Sequence, residues 1–77
     1  MPRMNLRQLS PGQKASIVKI TAYGELGRRI RDMGLVPGMS LQVIGRAPLR
    51  DPVALRIEGS TIALRNSEAD YVDVEVR

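Results

Sequence analysis

The chain has no cysteine, no histidine, no phenylalanine and no tryptophan, and two tyrosines are its only aromatic residues. Without cysteine, neither a disulfide nor a thiolate metal site can form, and without histidine the commonest general base and metal ligand is missing. A metal site would have to be built from carboxylates and carbonyls, so no tight transition-metal site is expected. The lack of Phe and Trp removes the usual platform on which unpaired nucleic-acid bases stack. No apolar run reaches the roughly 20 residues of a membrane span. Met1-Pro2-Arg3-Met4 leads into no apolar signal-peptide core. A small domain without a disulfide fits a reducing compartment, and a cytoplasmic location is expected.

Catalytic devices are missing too. Ser10, Ser16, Ser40, Ser60 and Ser67 have no histidine to activate them, and no spacing singles out a Ser–Lys pair with Lys14 or Lys19. Neither GxxxxGK[ST] nor GxGxxG occurs. Gly34 and Gly38 are spaced like part of a phosphate loop, but Leu35-Val36-Pro37 between them cannot cradle a phosphate. No catalytic residue, cofactor or metal ligand is assigned, and an enzyme is not expected.

What is present is an aliphatic core in a short chain. The 77 residues suffice for one domain, 1–77, and Leu, Ile and Val supply 21 of them. Net charge is +4 and unevenly spread. Residues 1–65 hold 11 Lys/Arg against four Asp/Glu, whereas 66–77 hold Glu68, Asp70, Asp73 and Glu75 against Arg77. Ten of the twelve cations are Arg, which suits planar contacts to carboxylate or phosphate. A solvated basic face is the plain alternative.

Periodicity supplies the elements. Leu6 and Leu9 read as core anchors ahead of the first strand, and Ser10-Pro11-Gly12-Gln13 as a turn. Ala15 to Ile20 is a strand pattern. Thr21 is placed to cap the helix that follows, in which Leu26, Ile30 and Met33 share one face and Ala22 extends it backwards. Glu25 precedes Arg29 in the order that favours a helical ion pair. Gly27 weakens this helix by roughly 1 kcal/mol relative to Ala, so its stability must come from packing. Gly34 suits a left-handed helix stop, and Pro37 prevents continuation.

Met39, Leu41 and Val43 alternate with polar residues, as do Val53, Leu55 and Ile57. Gly59-Ser60 is a two-residue hairpin signal, after which Thr61 to Arg65 returns with Ile62 and Leu64 inward. Asn66 to Asp70 reads as one capped helical turn. Tyr71 to Arg77 closes with Val72, Val74 and Val76 inward and Asp73 and Glu75 outward. The longest loop is expected at 45–52, holding Arg46, Pro48, Leu49, Arg50 and Asp51. About five short strands with one-sided apolar alternation predict an all-β, closed or nearly closed small β-barrel with one inserted helix.

The ordered set Ile30-Arg31-Asp32-Met33-Gly34-Leu35-Val36-Pro37-Gly38, a strand, Ala47-Pro48-Leu49-Arg50-Asp51-Pro52-Val53, then Ile62-Ala63-Leu64-Arg65 and Glu68-Ala69 resembles the FeoA family of bacterial ferrous-iron transport over nearly the whole chain. The resemblance implies an SH3-like barrel with a helix after the first strand. It also implies a cytosolic accessory role, with association to FeoB, a membrane permease that carries a cytosolic G-domain. Such a protein would be membrane-associated only through its partner. One position departs from the pattern, since Arg50 stands where the family's loop usually has glycine.

An adaptor that works by protein–protein contact is therefore the leading reading. Its candidate contact residues are Leu35, Val36 and Pro37 after the helix, Pro48, Leu49 and Arg50 in the long loop, and Arg28 and Arg31 on the helix. Leu35 has the simpler alternative of plugging the barrel end. Arg28, Arg29, Arg31, Arg46 or Arg50 could act in trans on the partner's GTPase. Two other classes stand beside this one: an SH3-like nucleic-acid-binding module, which the basic body favours and the acidic last strand opposes, and a weak transition-metal-binding domain. Self-association is left open.

Overall fold

Each of the five alternating segments forms a strand, and a sixth strand precedes them. The computed structural model describes residues 3–46 and 51–77. Along them run β1 (Arg3–Asn5), a 3₁₀ turn (Leu6–Gln8), β2 (Lys14–Ile20), α1 (Gly24–Asp32), β3 (Ser40–Arg46), β4 (Val53–Ile57), β5 (Ser60–Leu64), α2 (Asn66–Ala69) and β6 (Val72–Val76). The strands form one antiparallel sheet in the order β1-β6-β2-β3-β4-β5. β1 is too short to show a period. It exists because Arg3, Met4 and Asn5 pair with Glu75, Val74 and Asp73.

Register shifts lie between Ile17 and Lys19 on β2 and between Val43 and Gly45 on β3. Such bulges raise the local twist and curl a small sheet around its core. The curled sheet is the small barrel expected from alternation, in the SH3-like form that the family resemblance implies. Its strand order leaves β1 and β5 as the two edges. Leu41 and Val43 of β3, Val53, Leu55 and Ile57 of β4, Leu64 of β5 and Val72 and Val74 of β6 are buried together. Leu6 and Leu9 join them, as anchors should. Met39, Ile62 and Val76 sit at the margin, partly covered.

Several local expectations are corrected. The hairpin loop is Glu58-Gly59, not Gly59-Ser60, because Ile57 and Ser60 are paired. Both loop residues have positive φ, 47° and 83°, which is the type I′ geometry that matches strand twist. Arg46 is the last residue of β3 rather than part of a loop. Thr21 does not cap α1, whose N-cap is Tyr23 without a side-chain bond. Thr21 instead ties the end of β2 to the start of β6: its N–H and Oγ1 both donate to the Tyr71 carbonyl, at 2.7 and 3.2 Å. Glu25 pairs with Arg28 at 3.3 Å, not with Arg29.

α1 buries Ile30 fully, with Leu26 and Met33 partly covered on the same face and Ala22 buried just before it. Gly27 is buried here as well, and a Cβ on it would lie 2.6 Å from the Ala22 carbonyl oxygen. The glycine that weakens the helix in isolation is what lets its first turn close against the incoming chain. α2 is the short turn expected at 66–70. Its start is held by two carboxylates: Glu68 Oε1 accepts from the Arg65 N–H and Asp51 Oδ1 from the Asn66 N–H, each at 3.0 Å.

Candidate contact surface

The segment after α1 combines a helix stop, a core plug and an exposed turn. Gly34 takes φ +96°, the left-handed value a helix stop needs. Leu35 then points into the core and is 0% exposed. This removes it from the surface on which a partner could be met, and its role is the barrel plug.

The next four residues form a type II turn: Met39 N–H donates to the Val36 carbonyl at 3.1 Å, with Pro37 second and Gly38 third at φ +93°. Gly38 N–H also donates to Ile17 O at 2.9 Å, and Ile17 N–H to Met39 O at 2.8 Å. The turn is thus stitched to β2, and it presents Val36 (37% exposed) and Pro37 to solvent.

The arginines divide by what already holds them. Arg28 is exposed and paired to Glu25 one turn back. Arg31 is exposed and has no ion pair among the described residues. Arg29 reaches from α1 to α2, where its Nη2 donates to Glu68 Oε2 at 3.1 Å. Arg46 is engaged inside the fold: it donates to the carbonyls of Arg7 and Leu9, the latter at 2.9 Å, and to Asn66 Oδ1 at 3.3 Å. It therefore joins the 3₁₀ turn to α2 and is not presented to a partner. Pro48, Leu49 and Arg50 lie outside the described residues. Arg28, Arg31, Val36 and Pro37 are the sequence candidates that the fold leaves at the surface.

Three features escaped sequence reasoning. Tyr23 is 91% exposed at the start of α1, and Tyr71 is exposed across the Thr21 junction. Ile44, at the β3 bulge, is 44% exposed although its strand neighbours Val43 and Leu41 are buried. Glu68 is a buried carboxylate whose two oxygens have separate partners. A lone Glu in a helical turn gives no sign of this. The pair exists because the fold brings α1 and α2 together across 39 residues of sequence.

The acidic C-terminal segment is matched by cations on neighbouring elements. Glu75 meets Arg3 at 3.8 Å, Asp70 meets Arg7 at 3.2 Å, and Asp73 stands opposite Lys19 across the β2–β6 ladder. No group of three or more His, Cys, Asp or Glu is placed to hold a metal ion among the described residues. No described helix is long and apolar enough to cross a membrane.

Comparison with known proteins places this arrangement. A family model described as the FeoA domain matches residues 4–76. A Porphyromonas gingivalis "Fe(2+) transport protein A/Fe(2+) transporter FeoB fusion protein" is 40% identical over 73 residues, which are 95% of this chain and 9% of the fusion. The solution structure of a FeoA-like protein from Clostridium acetobutylicum superposes with TM-score 0.91 at 36% identity, covering 99% of this chain and 88% of that one. The crystal structure of Stenotrophomonas maltophilia FeoA complexed with zinc, described as an SH3 domain protein, superposes with TM-score 0.81 at 26% identity over 94% of this chain and 89% of that one.

Proposed function

Because this chain belongs to the FeoA family, a family of ferrous iron transport accessories, we propose that it acts by direct contact with a FeoB-type permease at the cytoplasmic face of the membrane. The observation that carries this reading is the Porphyromonas gingivalis fusion, in which a segment like this chain and a FeoB transporter share one polypeptide. Fusion keeps two parts at high effective concentration, which is useful where they must meet. The residues fit such a role. The core is filled, and the described surface offers the Val36–Pro37 turn and the cations Arg28 and Arg31.

The test is capture of detergent-solubilised permease by the purified chain, comparing wild type with Val36→Glu, Leu49→Glu and the double variant. Loss of capture by folded variants supports these segments as contacts. Undiminished capture by the folded double variant removes both from the interface. A regulatory effect is read separately, as GTP turnover by the permease with and without the chain and with Arg28→Ala and Arg31→Ala. An unchanged rate on adding wild type ends the regulatory reading.

A further inference from the structure

The two edges of the sheet are finished differently. β1 has three residues, carries Arg3, and its Asn5 N–H is taken by Gln8 Oε1 at 2.9 Å. Shortness, charge and a side-chain cap are the usual ways an edge is closed to pairing. β5 has none of them. It has five residues, Ser-Thr-Ile-Ala-Leu, without charge, proline or register shift.

The direction of its main-chain groups follows from the hairpin. Ile57 and Ser60 close a two-residue loop and form a hydrogen-bonded pair, so Ser60, Ile62 and Leu64 bond to β4 while Thr61 and Ala63 face away. The next outward residue, Arg65, confirms the alternation: its N–H donates to Glu68 Oε1, and its carbonyl accepts from Glu68 and Ala69. Nothing among the described residues bonds the N–H or C=O of Thr61 and Ala63, and both residues are exposed. Four aligned main-chain groups therefore stand open on a regular edge.

The side chains beside that edge select what would pair with it. On the core side Ile62 is only partly covered, because β5 ends the sheet among the described residues. On the outer side the cross-strand row through Thr61 runs Thr61, Arg56, Gln42, Lys14, and Arg77 bonds to Lys14 at its far end. That row holds three cations and no acid. The flanking acids are Glu58, in the hairpin turn, and Glu75, beside Arg3. We propose that β5 receives an extended segment of the permease as an added strand, with an apolar side chain over Ile62 and acidic side chains on the Arg56 face. This rests on the contact with the permease argued above. A second copy of this chain is the poorer occupant, since self-pairing would bring two cationic rows together on molecules of net charge +4.

The experiment is amide hydrogen exchange at Thr61 and Ala63, in the isolated chain and bound to detergent-solubilised FeoB-type permease. Exchange is fast in the free chain and slows about tenfold or more in the complex as the outward N–H groups gain partners. Thr61→Pro and Ala63→Pro delete an outward N–H without touching the β4 ladder, and each weakens binding about tenfold. Arg56→Glu, which leaves the main chain alone, weakens binding as well and decides the matter if the proline variants do not fold. Binding with Thr61 and Ala63 still exchanging freely overturns strand pairing and leaves the contact reading intact. Absence of any binding overturns both. Slowed exchange in the chain alone, with a dimer in sedimentation, makes the occupant a second copy and overturns the proposal.

Discussion

Replacing Gly27 by Ala separates propensity from packing, because the two predict opposite signs. In an exposed helix interior the change is worth about 1 kcal/mol in favour of Ala. In this fold the new Cβ would stand 2.6 Å from the Ala22 carbonyl oxygen and 3.2 Å from its carbon. Both atoms are backbone, so no rotamer change relieves the contact. The Arg31 Nη1 atom at 3.3 Å is the end of a flexible chain and can move away. Relief requires α1 to shift off the residues that lead into it, and Ile30, one turn along and fully buried, shifts with it.

Overpacking of this kind costs about 1–3 kcal/mol, and a contact this short against backbone belongs in the upper part of that range. After subtracting the propensity gain, Gly27→Ala should destabilise the fold by about 1–2 kcal/mol. At roughly 4–8 °C per kcal/mol for a domain this small, the melting temperature falls by about 5–15 °C. Circular dichroism melts and urea titrations of wild type, Gly27→Ala and Arg28→Ala measure it. Arg28→Ala, on the exposed face next to it, should stay within about 0.5 kcal/mol of wild type. A Gly27→Ala protein that melts at or above wild type would refute the packing argument.

Glu68→Ala should cost about 2 kcal/mol, since it strips a buried acceptor from the Arg65 N–H and from Arg29. Arg29→Ala should cost less than about 1 kcal/mol, because the Arg29 side chain is 62% exposed and water replaces much of what it loses. Urea midpoints of the two variants compare them, and equal costs would contradict the asymmetry. Glu58→Asn should raise stability by about 0.5–1 kcal/mol, as Asn tolerates the φ of 47° better at the first loop position of a type I′ turn. Leu35→Ala should lose about 2–5 kcal/mol whereas Val36→Ser loses less than about 1 kcal/mol, which thermal melts of the two adjacent variants will separate.

The fold was legible wherever a single strand carried its own period. Val53, Leu55 and Ile57 alternate strictly and are all buried, and Leu26, Ile30 and Met33 mark the covered face of α1. Legibility failed where a residue's role depends on something distant in sequence. β1 owes its existence to β6, Thr21 is diverted from its helix by Tyr71, and Arg29 prefers Glu68 to the nearby Glu25. The hairpin loop lies one residue before Gly59-Ser60: Gly59 suits a first or a second loop position equally, and only the pairing of Ile57 with Ser60 decides between them. The contact candidates were half readable. Exposure of Val36 and Pro37 follows from a turn that Pro and Gly announce, but Leu35 beside them has the same composition signal and the opposite fate. The open edge at Thr61 and Ala63 is a property of strand order, which no local pattern contains.

The charge pattern changes meaning on folding. Along the chain, a basic body is followed by an acidic tail segment, and the two invite separate roles. In the sheet β6 lies between β1 and β2, so the acids of the last segment stand among cations of the first: Arg3 by Glu75, Arg7 by Asp70, Lys19 opposite Asp73, with Arg29 on Glu68. The acids of the last segment therefore have cations of neighbouring elements beside them. Lys14 at the start of β2, Arg56 on β4 and Arg65 just after β5 have no ion pair among the described residues. Arg56 and Arg65 adjoin the open edge, and Lys14 continues the row that Arg56 begins. Unmatched cations beside unpaired main-chain donors and acceptors describe a surface suited to an acidic extended segment. The β1–β6 side, where Arg3 and Arg7 are paired to Glu75 and Asp70 and the edge is capped, is suited to holding the barrel together.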